Sequence, residues 1–152
     1  QRLYRSSNLA EVNLAGYADE LCSQLFRSYG AFNREIHLQV KAEEVLLSVD
    51  IAIPCGIILN ELVSNALKYA FPGDSGGTVT VDIQRSPGGI RMEVSDDGVG
   101  MPEDLEPKTA ESLGLRLVSM LAEQIGAEVK VGRGTGMEDG RRGTVWTLVF
   151  GG

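Results

Sequence analysis

Residues 78–95 read TVTVDIQRSPGGIRMEVS, two runs of alternating apolar and polar side chains around Arg-Ser-Pro-Gly-Gly. A period of two buries one face of each strand, and the Pro-Gly chemistry between them predicts an antiparallel hairpin. The chain must therefore supply an apolar layer to cover one side of a sheet. Three helical stretches are available. Asn13 caps the first, in which Leu14, Tyr17, Ala18, Leu21, Cys22, Leu25 and Phe26 recur at helical spacing as far as Gly30. The second opens at Asp50 and runs to Phe71. Because Pro54 has no N–H and fits a first turn, its regular start is expected near Ala52 or Ile53. The third, LGLRLVSMLAEQI, ends at Gly126.

Two further strand pairs complete the pattern. EIHLQV and VLLSV flank a short polar connection and read as a hairpin, and AEVKV pairs with TVWTLVF across GRGTGMEDGRRG. Strand pairs alternating with single helices predict an α+β fold, a two-layer sandwich whose mixed, mainly antiparallel sheet is covered on one face by three helices. The parallel crossovers of a Rossmann domain are not expected. At 152 residues, with 43% hydrophobic and 23% charged side chains, the chain fits one domain.

A net charge of −7 disfavours nucleic-acid backbones and anionic membranes as partners. The longest apolar runs, such as AIPCGIIL, are too short to span a bilayer, and QRLYRSSN lacks a signal peptide's apolar core. No direct membrane contact by this domain is expected. Because the chain starts at Gln1, it is expected to be a fragment of a longer protein that can itself be membrane-bound. Cys22 and Cys55, without CxxC spacing or His partners, read as buried reduced thiols suited to the cytoplasm.

Chemistry enters with NELVSNALKYAF. At roughly 100° per residue, Glu61, Asn65 and Lys68 share one narrow stripe beside a broader apolar face. Alone, this is a solvated helix face. Three more segments change the reading: SDDGVGMP directly after a strand, SLGLRLV opening a helix, and GTVWTLVF as the last strand. Other chemistries lose on inventory, since there is no GxxxxGK[ST] loop, no second histidine for HExxH, no cysteine pair for zinc and no base for a nucleophilic triad. His37, on a strand, reads as structural. Arg133, Arg141 and Arg142 surround a glycine-rich tip and receive no role.

In that combination the sequence resembles the GHKL (Bergerat-fold) ATPases, and within them the catalytic domains of bacterial sensor histidine kinases. IPCGIILNELVSNALKYAF is similar to the asparagine box, DDGVG to the first glycine box, SLGLRLV to the second and GTVWTLVF to the closing threonine motif. The wording of NELVSNALKYAF, LYRSSNLAEVNL and a short lid, residues 101–112, resemble the subgroup lacking the phenylalanine-containing lid motif. Trp146 departs from the family's usual Phe. On this resemblance residues 1–12 are the tail of an upstream dimerisation segment or linker, and residues 13–152 the ATP-binding catalytic domain.

The resemblance implies ATP and Mg²⁺ as ligands. Asn65 is the metal-ligand candidate, because an amide oxygen is a neutral hard donor and Mg²⁺ in nucleotide sites takes few protein ligands. Lys68 is placed to meet a phosphate as a point charge and Tyr69 to pack beside ribose or base. Glu61 is the expected carboxylate that orients a water or hydroxyl, as base or by hydrogen bonding. Asp96, an acceptor, suits the exocyclic amine of adenine and clashes with the carbonyl of guanine. Gly98 and Gly100 let the backbone approach a ligand, and Gly114 opens a helix whose free N–H groups suit phosphate. Met101, Ser112, Leu113, Leu115 and Thr144 complete the implied contacts. The expected reaction transfers the γ-phosphoryl to a histidine on an adjoining dimerisation domain outside this fragment, and then to the receiver domain of a response regulator. An anti-sigma-type serine kinase, an ATP-gated clamp and a non-catalytic interaction module stay open. All these readings of an active pocket require Asp96, Asn65 and Gly114 to surround one hollow.

Overall fold

The structure, a computed structural model, describes residues 11–73, 75–99, 113–134 and 143–151. Among them the chain order is β1 (Glu11–Asn13), α1 (Leu14–Ser28), a 3₁₀ turn (Ala31–Arg34), β2 (Ile36–Ala42), β3 (Leu46–Ser48), α2 (Val49–Asn65) with a π-helical turn (Ala66–Ala70), β4 (Gly77–Ser86), β5 (Gly89–Asp96), α3 (Leu113–Gln124), β6 (Glu128–Gly132) and β7 (Thr144–Phe150). A five-stranded sheet runs β2-β4-β5-β7-β6, and β1 pairs with β3 apart from it. The two-layer α+β sandwich expected from the sequence is present.

Its centre is the hairpin that opened the reading. β4 and β5 pair antiparallel from Val79↔Asp96 to Ser86↔Gly89, turning at Pro87 and Gly88. Val79, Val81, Ile83, Met92 and Val94 are buried, with Leu148 and Trp146 beside them on β7. α1 contributes Leu14, Ala18, Cys22 and Phe26, all fully buried at i, i+4 spacing. Its predicted cap holds: Asn13 Oδ1 accepts from Ala15 N–H at 3.1 Å. The β6–β7 hairpin also forms as expected, from Glu128↔Val149 to Gly132↔Val145.

One predicted pairing is corrected. β2 and β3 do not form a hairpin: β2 lies parallel to β4, from Ile36↔Gly77 to Ala42↔Ile83, and β3 pairs antiparallel with β1. The connection Glu43-Glu44-Val45 has no turn-forming residue to fold it back. It is instead fastened to neighbours. Glu43 N–H donates to Ile83 O at 2.8 Å, Arg85 Nη2 to Glu44 O at 2.7 Å, and Leu14 N–H to Val45 O at 2.8 Å. The chain thus contains one parallel crossover, β2 through α2 to β4, which was not evident in the sequence and makes the sheet mixed.

α2 also begins earlier than expected, at Val49 after the cap residue Ser48, so Pro54 lies inside the helix. Pro54 withholds an N–H from the carbonyl of Asp50, and Asp50 is exposed, so water can serve that carbonyl. The stretch Val49–Ala70, 22 residues with a hydropathy of 1.3, is long and apolar enough to cross a membrane by those measures. It is not a continuous apolar run, since Asp50, Asn60, Glu61, Asn65 and Lys68 interrupt it. Its apolar side is nonetheless spent on the core, where Ala52, Cys55, Ile58, Leu59, Leu62 and Val63 are at most 1% exposed.

Cys22 and Cys55 are free and buried, and burial pushes both thiols up to about 12, with the nearby Asp19 charge adding to the shift at Cys22. Neither thiol should react with an aromatic disulfide reagent at pH 8 in the native chain. Both should react at once in 8 M urea, about the usual unfolding condition, and titration of the released chromophore reads this directly.

Candidate functional site

The C-terminal end of α2 lies over β5 and β7 and leaves a hollow whose empty space, open solvent included, is ≈ 370 Å³. Leu62, Ala66, Ala70, Val94 and Trp146 make its apolar walls, and Asn65, Tyr69, Asp96 and Thr144 supply its polar groups. The strands place theirs by pleat and register. Val94 and Asp96 are two apart on β5, and their cross-strand partners on β7 are Trp146 and Thr144. The helix places its own by a change of pitch. From Ala66 to Ala70 the backbone is π-helical, a rare geometry concentrated at functional sites.

Asp96 is the electrostatic centre of the hollow. Its Oδ1 accepts the Gly98 N–H at 2.9 Å. Burial pushes its carboxyl up to about 6, further raised by the Asp97 charge and opposed by the backbone N–H groups of Gly98 and Thr144. Burial dominates. Asp97, not singled out from sequence, faces elsewhere: its Oδ1 accepts the Thr78 N–H at 2.8 Å and its own N–H donates to Thr78 O at 3.3 Å. It fastens the end of β5 to β4.

Gly98 was expected to clear space for a ligand, and the structure supplies an internal reason as well. A Cβ there would strike the carbonyl and side chain of Ala70. Val99 N–H donates to Ala70 O at 3.0 Å, so the turn after β5 sits flush on the π turn. Gly143 closes the other side, donating to Gly98 O at 2.9 Å with φ +69°, and a Cβ on it would meet the Asp96 carbonyl. Three segments distant in sequence thus interlock at one corner of the hollow.

The helical stripe is not brought in whole. Asn65 lines the hollow and Tyr69 stands at its mouth, 64% exposed. Glu61, half-buried one turn earlier, and Lys68, exposed, lie outside the lining, and among the described residues neither side chain has a hydrogen-bond or ion-pair partner. Gly114 is half-buried at the start of α3, Leu113 is 75% exposed and Leu115 is 3% exposed in the core. None of the three lines the hollow. Of the three residues required around one hollow, Asp96 and Asn65 share it and Gly114 does not line it, so that expectation is met only in part. Gly100, Met101, Ser112 and the lid lie outside the described residues, as do Arg141 and Arg142. His37 is exposed on β2. The apolar walls were missed by reading for polar groups, although Leu62, Ala66, Tyr69 and Ala70 follow one another at i, i+3 and i+4, the signal of a common helix face.

The donor set suits a nucleotide with its ion. Apolar walls with a few convergent polar groups match a planar base, and the side-chain amide of Asn65 has no partner among the described residues. No cluster of three His, Cys, Asp or Glu able to hold a metal exists among the described residues, so an ion here would be held largely by phosphate and water.

The raised carboxyl of Asp96 has a consequence for stability. Its ordinary value is 3.8 and its folded value about 6, so the folded chain binds this proton more tightly than the unfolded one. The resulting stabilisation is fully present below 3.8 and lost as pH rises through about 6. Asp96→Asn should therefore stabilise the nucleotide-free chain at pH 7.5 by about 1–3 kcal/mol. The advantage should vanish near pH 4, about the ordinary value of the carboxyl. Urea titrations of both chains across that range check it.

Residues 51–150 match the family described as histidine kinase-, DNA gyrase B- and HSP90-like ATPase. Blue-light-activated histidine kinase 2 of Erythrobacter litoralis is 36% identical over 100 residues, 65% of this chain and 29% of that protein. Sensor histidine kinase PdtaS of Mycobacterium tuberculosis is 32% identical over 136 residues, 88% of this chain and 26% of that protein. The chain thus spans less than a third of the length of these relatives. The histidine kinase domain of the Erythrobacter litoralis EL346 blue-light activated histidine kinase has a TM-score of 0.80 at 30% identity, covering 91% of this chain and 65% of that one. The mycobacterial sensor histidine kinase MprB shares the fold, with a TM-score of 0.72 at 21% identity over 93% of this chain and 97% of that one. Membership in this ATPase family implies ATP as a ligand. The hollow under α2 lies within the matched residues, and the chain belongs to the histidine kinase-, DNA gyrase B- and HSP90-like ATPases, with sensor histidine kinases among its homologues.

Proposed function

We propose that this chain is the ATP-binding catalytic domain of a two-component sensor histidine kinase acting in the cytoplasm, with residues 13–152 forming the domain and residues 1–12 leading from the dimerisation segment. The observation that carries the reading is the single hollow shared by Asp96, Thr144, Asn65 and Tyr69 within a fold common to histidine kinases. Adenine enters between the apolar walls and donates its exocyclic amine to the Asp96 carboxylate, while the Thr144 hydroxyl lies alongside. Tyr69 covers the ribose or base at the mouth. The phosphates leave toward Lys68 and the start of α3 at Leu113 and Gly114.

Asn65 would hold Mg²⁺ through its amide oxygen, and the ion would neutralise charge on the polyphosphate. Phosphoryl transfer leaves the protein mainly positioning and charge stabilisation to perform. A neutral imidazole nitrogen of the acceptor histidine forms the new N–P bond as the bond from the γ-phosphorus to the bridging oxygen breaks, and ADP departs with that electron pair. Glu61 accepts a hydrogen bond from the imidazole's other N–H and offsets the positive charge it gains. The phosphoryl group then passes to a carboxylate of a receiver domain.

Base choice follows from the same carboxylate. Guanine presents an acceptor where adenine presents a donor, and an unmatched buried acceptor costs about 1–3 kcal/mol, so GTP should bind about 10–100-fold more weakly than ATP. Calorimetry with Mg-ATP and Mg-GTP reads this ratio. Asp96→Asn should lose saturable Mg-ATP binding, and Asn65→Ala should lose its Mg²⁺ dependence. ATP affinity should also fall as pH drops below about 6, where the carboxyl takes up its proton. For the parent protein, the expected product is an acid-labile phosphoryl group that survives in base. An acid-stable product would replace histidine with serine as the acceptor, and absence of saturable Mg-ATP binding would remove the reading.

A further inference from the structure

The π turn under the hollow ends with a local deficit of hydrogen-bond donors. In π geometry a carbonyl looks to the amide five residues on, and for Leu67 that residue is Pro72, which has none. The carbonyl of Phe71, the cap residue that follows the element, has no onward helical partner. One side chain supplies both. Arg34, at the end of the 3₁₀ turn between α1 and β2, donates Nη1 to Leu67 O at 3.2 Å and Nη2 to Phe71 O at 2.7 Å. A guanidinium can hold two carbonyls at once because its donors form a fixed fork, and its charge suits the negative end of the helix dipole.

Between those carbonyls lie the residues that shape the hollow. Tyr69 and Ala70 line it, and Ala70 O receives Val99 N–H from the turn that also carries Gly98 and the Asp96 contact. Arg34 itself does not line the hollow. We propose that Arg34 is a positioning residue for nucleotide binding, a brace that holds the π turn in the pitch that presents Tyr69 and Ala70 to the base and keeps the Asp96–Gly98 turn seated. Relaxation of the turn into α geometry would rotate Tyr69 and Ala70 relative to Asn65 and unseat Val99. The role rests on the ATP-binding reading of the hollow. It links nucleotide affinity to the segment joining α1 to β2.

The test compares the parent chain, Asp96→Asn, Arg34→Met and Arg34→Lys by Mg-ATP calorimetry and by amide exchange at Val99 and, as a core reference, Leu148. Arg34→Met should weaken Mg-ATP about 10-fold or more, with faster exchange at Val99 and unchanged exchange at Leu148; Arg34→Lys, able to reach one carbonyl at a time, should fall between. Binding by Arg34→Met within about twofold of the parent chain overturns the proposal, as does equal acceleration at Val99 and Leu148, which marks a general loss of stability. Should Arg34→Met fail to fold, Arg34→Lys decides on the same two measures. If the parent chain itself binds no Mg-ATP, the nucleotide reading fails; Val99 exchange then still reports whether Arg34 braces the turn.

Discussion

The seating of the turn after β5 on the last turn of α2 is the contact on which the site depends. Val99 N–H holds Ala70 O, Gly98 lies against Ala70 too closely for any side chain, and Gly143 closes over the backbone of Asp96. These contacts join the helix layer to the sheet layer where the hollow opens. They explain why two glycines stand there independently of any ligand: the protein's own backbone takes the space first. A side chain at either position must push the layers apart, and the cavity between them would lose its shape.

Function and stability pull against each other at Asp96. A carboxylate in this cavity is an effective acceptor for a base amine because it is largely withdrawn from water, and the same withdrawal raises its proton affinity. Backbone N–H groups from Gly98 and Thr144 recover part of that penalty without neutralising the group. The adjacent Asp97 adds charge repulsion yet is needed to fasten β5 to β4 through Thr78. Two neighbouring acids thus do different work because alternate residues of a strand face opposite ways.

Much of this was legible in the chain. Alternation in TVTVDIQ and IRMEVS, the Asn13 cap and the helical spacing from Leu14 to Phe26 reproduce in the structure because each is decided within a few residues. Asp96, Asn65, Tyr69 and Thr144 were named from the family resemblance together with the chemistry of their side chains, and the fold brings all four to one hollow. Reading the same helix as a polar stripe beside an apolar face named Glu61 and Lys68, which lie outside the hollow's lining, and gave Leu62, Ala66 and Ala70 to the core side rather than to its walls. Straight α geometry also hid the π turn, whose pitch alters which residues face the sheet.

By itself the sequence determined the types of most elements, which face of each strand is apolar, and the chemistry available to a ligand, since hydrophobic period, capping and side-chain inventory are local properties. Only the tertiary structure decided that β2 joins β4 in parallel while β3 turns to β1, that Pro54 lies inside α2, and that Arg34 serves carbonyls more than thirty residues away. Strand partners and capping donors are chosen by which surfaces remain unpaired once distant segments have packed. A local pattern shows that a group needs a partner, and the packed chain alone shows which partner reaches it.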